Sequence, residues 1–327
     1  MKILVTGAGG FIGSHMVSYL KDKGHEVKAL DIKWPDHRKH LWGKADEIIT
    51  FDLRKTYDDE RTLPNITNNV EWIFHYAADM GGVGYFFSDA DGKASADNMQ
   101  IDLNVLREVQ PHQRLFYASS FCAYPIEEQV LVDGRAKKAM SEDDFGPAPA
   151  EQIYGEEKRL MTILCEDARK NRKLDTRVGI FSTVYGPHQE IEDPKRSKFP
   201  TAIIKKVLAG NPIEIWGDGS QVRTFLYIDD AIEKMYRIMS SDIYEGPVNV
   251  GSDEQVTIKE MADYVSELAG ITPVYAFNLG KPTGVMGKDT DNSKFNRLYG
   301  EVSQTSARDG FKKLFDWYEA VLRESSA

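Results

Sequence analysis

Two hydrophobic patterns alternate along the first half of the chain. Residues 2–6 (KILVT), 25–31 (HEVKALD), 71–78 (EWIFHYAA), 114–120 (RLFYASS) and 176–186 (TRVGIFSTVYG) are short apolar runs. Such runs mark strands of a parallel sheet, which are buried on both faces. Between them the apolar residues recur at helical spacing. Phe11, Ile12, Met16, Tyr19 and Leu20, with His15 among them, form one stripe that Gly24 closes. Leu160, Ile163, Leu164 and Ala168 form another within 153–170, and 93–109 reads as a third helix. Strands alternating with helices predict a parallel sheet covered on both sides.

The texture changes after Gly186. A polar, proline-broken stretch (HQEIEDPKRSKFP) leads into shorter elements, with helical patterns at 199–210, 228–239, 257–270 and 311–323. The apolar run 247–251 (PVNVG) is expected to return to the main sheet. The expected architecture is α/β: a Rossmann-type doubly wound parallel sheet with a smaller interleaved C-terminal lobe. Residues 1–178, with 217–251 returning to them, form the expected dinucleotide-binding domain. Residues 179–216 and 252–327 form the expected substrate domain.

Composition excludes several classes of function. Acidic residues outnumber basic ones 51 to 41, for a net charge of −10. That excess argues against nucleic acids and anionic membrane surfaces as partners. No run approaches the ~18 apolar residues of a membrane span. Cys122 and Cys165 are the only cysteines, too few for a disulfide framework or a zinc set. His37 and His40 lack a third ligand, so no metal is expected. The N-terminal apolar run passes straight into glycines with no cleavage-site pattern, and the expected setting is cytoplasmic.

Gly7, Gly10 and Gly13 punctuate the junction between the first strand and the first helix. In that context the glycines permit a tight turn, a close backbone approach to a pyrophosphate, and close helix–strand packing. The helix N-terminus then faces the phosphates. Asp31 ends the second strand, where a carboxylate binds the adenosine ribose and repels a 2′-phosphate. NAD is therefore expected over NADP, against which Lys33 and Arg38 stand nearby. Asp52-Leu53 follows a short strand and reaches toward the adenine edge. Farther on, Tyr154 and Lys158 are four residues apart and share a helix face. A cation beside a phenol favours the phenolate, which takes a hydroxyl proton as hydride leaves the carbon.

These residues, together with Ala77-Ala78, Asn98, Tyr117-Ala118-Ser119-Ser120, Tyr185-Gly186-Pro187, Trp216-Gly217-Asp218-Gly219, Arg223-Thr224-Phe225 and Val248-Asn249-Val250-Gly251, carry a resemblance over nearly the whole chain. The chain resembles the extended short-chain dehydrogenase/reductase family, the nucleotide-sugar epimerases and dehydratases. The resemblance implies a tightly bound NAD held by Gly7, Gly10, Phe11, Ile12, Gly13, Asp31, Asp52, Leu53, Ala77, Ala78, Asn98, Tyr154 and Lys158. It also implies a sugar whose C4 hydroxyl is transiently oxidised, and a homodimer formed through the helices 93–109 and 153–170.

Finer features resemble the branch of that family that epimerises C3 and C5 of a GDP-sugar, GDP-mannose. One is Ser119-Ser120-Phe121-Cys122-Ala123-Tyr124-Pro125, with Cys122 where related dehydratases place a glutamate. A second is Arg196-Ser197-Lys198-Phe199-Pro200, and a third is the glycine-rich loop Ala78–Gly84, including Gly81, Gly82 and Val83. The chemistry is consistent with this. A C4 ketone acidifies the hydrogens at C3 and C5, and inversion needs a base on one face and an acid on the other. Cys122 as base and Lys198 as acid would supply them, beside Ser120, Tyr154 and Lys158. The resemblance extends substrate contact to Phe121, Thr183, Lys206, Gln221, Arg223 and Lys288. Its G-V-R-G-R tract appears here as Gly284-Val285-Met286-Gly287-Lys288, which loses one charge and one planar guanidinium. The alternatives are a nucleotide-sugar 4-epimerase, a 4,6-dehydratase, or a non-catalytic NAD-binding sensor on the same fold.

Overall fold

The computed structural model describes residues 1–56, 62–82, 84–85, 92–146, 148–191, 193 and 196–325. Val83, quoted in the glycine-rich loop above, lies outside them. The strands are β1 (Lys2–Thr6), β2 (Glu26–Asp31), β3 (Glu47–Thr50), β4 (Trp72–His75), β5 (Arg114–Ser120), β6 (Leu131–Val132), β7 (Arg135–Ala136), β8 (Asp175–Phe181), β9 (Thr183–Tyr185), β10 (Ile213–Trp216), β11 (Val222–Tyr227), β12 (Val248–Val250), β13 (Gln255–Thr257) and β14 (Tyr275–Asn278). Seven of them form one sheet in the order β12-β8-β5-β4-β1-β2-β3, every pair parallel. This is the doubly wound order, in which ligands bind beyond the carboxyl ends of the strands where the order reverses, here between β1 and β4.

Alternation along each strand builds a core on both faces. Ile3 and Val5 join Met16, Val17, Phe74 and Phe116 on one side. Leu4 joins Leu30, Ile73, Leu115 and Val178 on the other, packed with Val105 and Met161 from the helices Lys93–Glu108 and Gln152–Arg172. Fully burying each such side chain contributes roughly 1.5–3 kcal/mol.

The run read as one strand over 176–186 divides at Ser182. β8 stays in the main sheet, while β9 pairs with β11 in a three-stranded sheet β13-β11-β9. Ser182 N–H donates to Val250 O at 3.2 Å, the last link to the main sheet before the chain leaves it. The expected return of 247–251 is β12, paired with β8. Asn249 fixes that return: its carbonyl accepts the Tyr124 hydroxyl (2.8 Å), and its amide donates to Met140 O (2.8 Å) and Asp291 O (3.0 Å). The turn after β5 is thereby tied to the C-terminal segment.

At the β1–helix junction Gly7 has φ +68°, and a Cβ on Gly13 would lie 2.1 Å from Gly7 O. Helix and turn are in backbone contact. Gly13→Ala is expected to cost about 1–3 kcal/mol, measured by denaturant unfolding. Unchanged stability would contradict the contact.

Candidate active site

The turn after β1 and the end of β2 form one cradle. Asp31 accepts Gly9 N–H at Oδ2 (2.9 Å) and the N–H groups of Ile32 (2.7 Å) and Lys33 (3.1 Å) at Oδ1. Burial pushes its carboxyl up, and these N–H groups pull it back down. The helix Phe11–Asp22 starts at Gly10 with no capping side chain and no acid in its first turn, an end suited to an anion. The Arg38 side chain donates to His188 O (2.6 Å) and Gly9 O (3.3 Å). Its guanidinium is thus engaged by carbonyls beside the ribose position. The cradle fits a dinucleotide without a 2′-phosphate. Asp52 is paired with Arg54 at 2.8 Å. Leu53 is buried, its carbonyl accepting Asn104 Nδ2 at 2.9 Å. Ala77 N–H donates to Thr6 Oγ1 at 3.3 Å, and Ala78 follows in the loop above the β1–β4 edge.

Tyr154 and Lys158 leave the first turns of the helix Gln152–Arg172 on one face, with Lys158 Nζ 5.9 Å from the Tyr154 ring centre. Ser120 stands at the end of β5, next to the Tyr154 phenol. Burial pushes that phenol up, while Lys158 and Ser120 act the other way. Lys158 itself is buried in a polar cluster that the sequence did not disclose. Its Nζ donates to Tyr117 OH (3.1 Å) and lies 2.9 Å from Glu157 Oε1 and 3.6 Å from Asp102 Oδ2. Burial disfavours its ammonium, but Asp102, Tyr117 and Glu157 outweigh that and hold it well above the usual lysine range.

Below Lys158 the cluster continues into the sheet. Asp102 also accepts Tyr117 OH (2.9 Å) and bonds His75 Nε2 (2.9 Å), while His75 Nδ1 meets Thr6 Oγ1 at 2.6 Å. Thr6 Oγ1 already accepts the N–H groups of Tyr76 and Ala77.

Cys122 follows Ser120 in a one-turn helix, its N–H donating to Ser120 Oγ at 3.2 Å. Lys288 Nζ lies 3.3 Å from its Sγ and 2.6 Å from Glu151 Oε2. Burial pushes the Cys122 thiol up, Lys288 pulls it down, and Glu151 opposes Lys288. Lys198 caps the helix Phe199–Ala209. Burial lowers its ammonium below the usual lysine range, and charge on Cys122 raises it, which places the two groups in one electrostatic neighbourhood. Arg223 feels both Cys122 and Glu151. Cys122 is thus electrostatically coupled to the Lys198 amine and to the Tyr154 phenol.

The segment bearing Lys198 is clamped to the loop after β4. Arg196 pairs with Asp79 at 2.6 Å, donates to Met80 O at 3.0 Å and lies over the Tyr85 ring, whose hydroxyl donates to Asp79 at 2.8 Å. Asn98, expected at the cofactor, also holds that loop: its Oδ1 accepts Asp79 N–H at 2.6 Å and its Nδ2 donates to Glu157 at 3.3 Å. Gly81 lies directly under Tyr85, where a Cβ would come within 2.5 Å of its side chain. Gly82 and Phe121 are buried beside the cleft, and Thr183 begins β9. Gln221 donates to Trp216 O at 3.2 Å and leaves a buried Oε1 without a partner among the described residues. Lys206 is engaged by Glu214 at 3.2 Å, away from this cluster. Arg196 and Asp79 were within reach of sequence reasoning, since both stand inside quoted motifs. Glu151, Asp102 and His75 were not, because their partners come from distant segments.

This fold and site define a dinucleotide-dependent α/β enzyme with a tyrosine–lysine pair at the sheet's carboxyl edge. Residues 3–251 match the NAD dependent epimerase/dehydratase family, and the chain belongs to that family. Its cofactor is NAD. The chain is 33% identical to GDP-mannose 3,5-epimerase 1 of Oryza sativa subsp. indica over 331 residues, 99% of this chain and 83% of the relative. It is 34% identical to GDP-mannose 3,5-epimerase of Arabidopsis thaliana, covering 100% and 84%. Among solved structures it matches UDP-glucose 4-epimerase of Thermotoga maritima with TM-score 0.83 at 23% identity, over 98% of this chain and 100% of that one. It also matches MoeE5 in complex with UDP-glucose and NAD, with TM-score 0.78 at 27% identity and the same coverage.

Asp102→Ala would leave His75 and Tyr117 without their acceptor and Lys158 with one carboxylate fewer. Breaking a buried pair in this way is expected to cost about 3–5 kcal/mol, read by chemical denaturation. A loss under 1 kcal/mol would show that the cluster does not hold the ammonium.

Proposed function

We propose that this enzyme is an isomerase, a GDP-mannose 3,5-epimerase. What supports the reading is a second candidate acid/base pair, Cys122 and Lys198, coupled electrostatically to each other and, through Cys122, to Tyr154. A 4-epimerase needs no such pair. A 4,6-dehydratase needs a carboxylate at the Cys122 position, where this chain has a thiol.

NAD, when bound in the cradle, would supply the acceptor and later the donor of the C4 hydride. Tyr154, aided by Lys158 and Ser120, accepts the C4 hydroxyl proton and later gives it back. The C4 ketone acidifies the neighbouring C–H bonds. Cys122, as thiolate, removes the proton at C3 or C5, and Lys198 delivers one to the opposite face. Gln221, with its unpartnered oxygen, and Arg223 supply polar contacts to the substrate, and Arg suits a diphosphate. Gly7, Gly10, Phe11, Ile12 and Gly13 would hold the NAD pyrophosphate, and Asp31 its ribose. The division of labour follows the chain: 1–178 and the returning 217–251 for cofactor, 179–216 and 252–327 for substrate, with β11 contributing to the substrate side.

The protein is also read as a homodimer. Ile153, Leu160 and Ile163 are 63%, 41% and 52% exposed along the helix Gln152–Arg172, an apolar face that a second copy would cover. A cytoplasmic setting agrees with two free thiols, one of them in the active site. Among the described residues no helix is long and apolar enough to cross a membrane.

The test is incubation with GDP-mannose in deuterated water. Label should enter at C3 and C5 and not at C4, and Cys122→Ala should abolish it. Tyr154→Phe should slow turnover at least about a hundredfold with the fold intact. Full epimerisation and exchange by Cys122→Ala would refute the reading in favour of a 4-epimerase.

A further inference from the structure

The tract that replaces G-V-R-G-R brings Lys288 somewhere other than an open anion site. Its backbone is pinned: Lys288 N–H donates to Val222 O at 3.1 Å, and Gly287 N–H donates to Gln129 O at 3.0 Å. A Cβ on Gly287 would meet Val130 O at 2.7 Å, so this approach requires glycine. From there the Lys288 side chain, 14% exposed, reaches Cys122 Sγ and Glu151, which is equally buried.

Glu151 ties the arrangement together from three sides. Its N–H donates to Cys122 O at 2.9 Å. Its Oε2 accepts Lys288 Nζ at 2.6 Å, and its Oε1 accepts Val285 N–H at 3.3 Å. One residue thus holds the cysteine's backbone and the ammonium that faces its sulfur. Gly155, one turn on, keeps that contact close, since a Cβ there would come within 2.2 Å of Cys122 O.

We propose that Lys288 is the fixed counter-cation of the Cys122 thiolate, and that Glu151 is the positioning residue that holds Lys288 against the sulfur. This rests on the reading of Cys122 as an acid/base group, and it moves Lys288 from substrate contact to the proton machinery. The charged and titratable groups facing Cys122 are Lys288 and Glu151, the Tyr154 phenol, and the Lys198 and Arg223 cations, with the Ser120 hydroxyl beside them. Of these cations, Lys288 is the one hydrogen-bonded to the sulfur, at 3.3 Å. Two anionic neighbours keep it protonated although burial acts against its charge. A cation at this range lowers a thiol by about 1–3 pH units. Glu151 alone would raise the thiol, so the sign of its effect separates positioning from plain electrostatics.

The test titrates Cys122 by its rate of alkylation with iodoacetamide across pH, followed by mass spectrometry of its own peptide, on enzyme retaining NAD. Cys165 is fully buried, its thiol pushed up by burial, and serves as the internal control. Lys288→Met should raise the midpoint by about 1–3 pH units, and Lys288→Arg should restore it. If Lys288→Met does not fold, Lys288→Gln serves in its place. Glu151→Gln should also raise the midpoint, because Lys288 is released. An unmoved midpoint in Lys288→Met with a raised KM for GDP-mannose would overturn the counter-cation role, and a lowered midpoint in Glu151→Gln would overturn the positioning role. The titration needs no turnover. Should Cys122→Ala still exchange C3 and C5, the functional reading would fail while the titration stands on its own.

Discussion

A buried ammonium, Lys158, is the constraint around which the sheet's carboxyl edge is built. Taking such a charge out of water costs several kcal/mol unless partners surround it. Here Glu157 comes from its own helix, Asp102 from the neighbouring helix, and Tyr117 from β5. Asp102 in turn fixes His75 on β4, and His75 meets Thr6 on β1. One connected set of polar groups therefore spans three adjacent strands and two helices beside Tyr154. A set of this kind is stabilising only while every member keeps its partner, which makes the geometry of Tyr154 and Lys158 a property of the core rather than of a surface loop.

A second cluster follows the same logic a few residues away. Lys288, Glu151 and Cys122 come from three distant segments and meet in a half-buried pocket. The first cluster serves a phenol and the second a thiol. Arg196, Asp79 and Tyr85 join the loop after β4 to the segment that carries Lys198. Under the proposed function, redox chemistry at one carbon and proton transfer at its neighbours would use separate acid/base groups.

Much of the fold was legible because local pattern and global topology agree. The apolar runs, the helix stripes and the glycine turn each specify their element, and the return of Val248–Val250 follows from its apolar run. The division at Ser182 was not legible, because both halves are apolar and only the pairing partners differ. At the site, Tyr154, Lys158, Cys122 and Lys198 stood out by motif. Asp102, His75 and Glu151 did not: each looks like an ordinary polar residue until tertiary contacts bring its partner from 27 to 137 positions away. Lys288 was visible as a departure, but its direction toward sulfur depends on where Gly287 lets the chain pass.

On the proposed function, the two clusters run separable chemistries. Rapid mixing of Cys122→Ala enzyme with GDP-mannose, followed by the absorbance of reduced nicotinamide, tests it most directly. The account predicts that reduced nicotinamide still forms, since Tyr154, Ser120 and the Lys158 cluster are intact. A Cys122→Ala enzyme that folds and keeps its NAD, yet shows no reduced nicotinamide with the sugar bound, would contradict it.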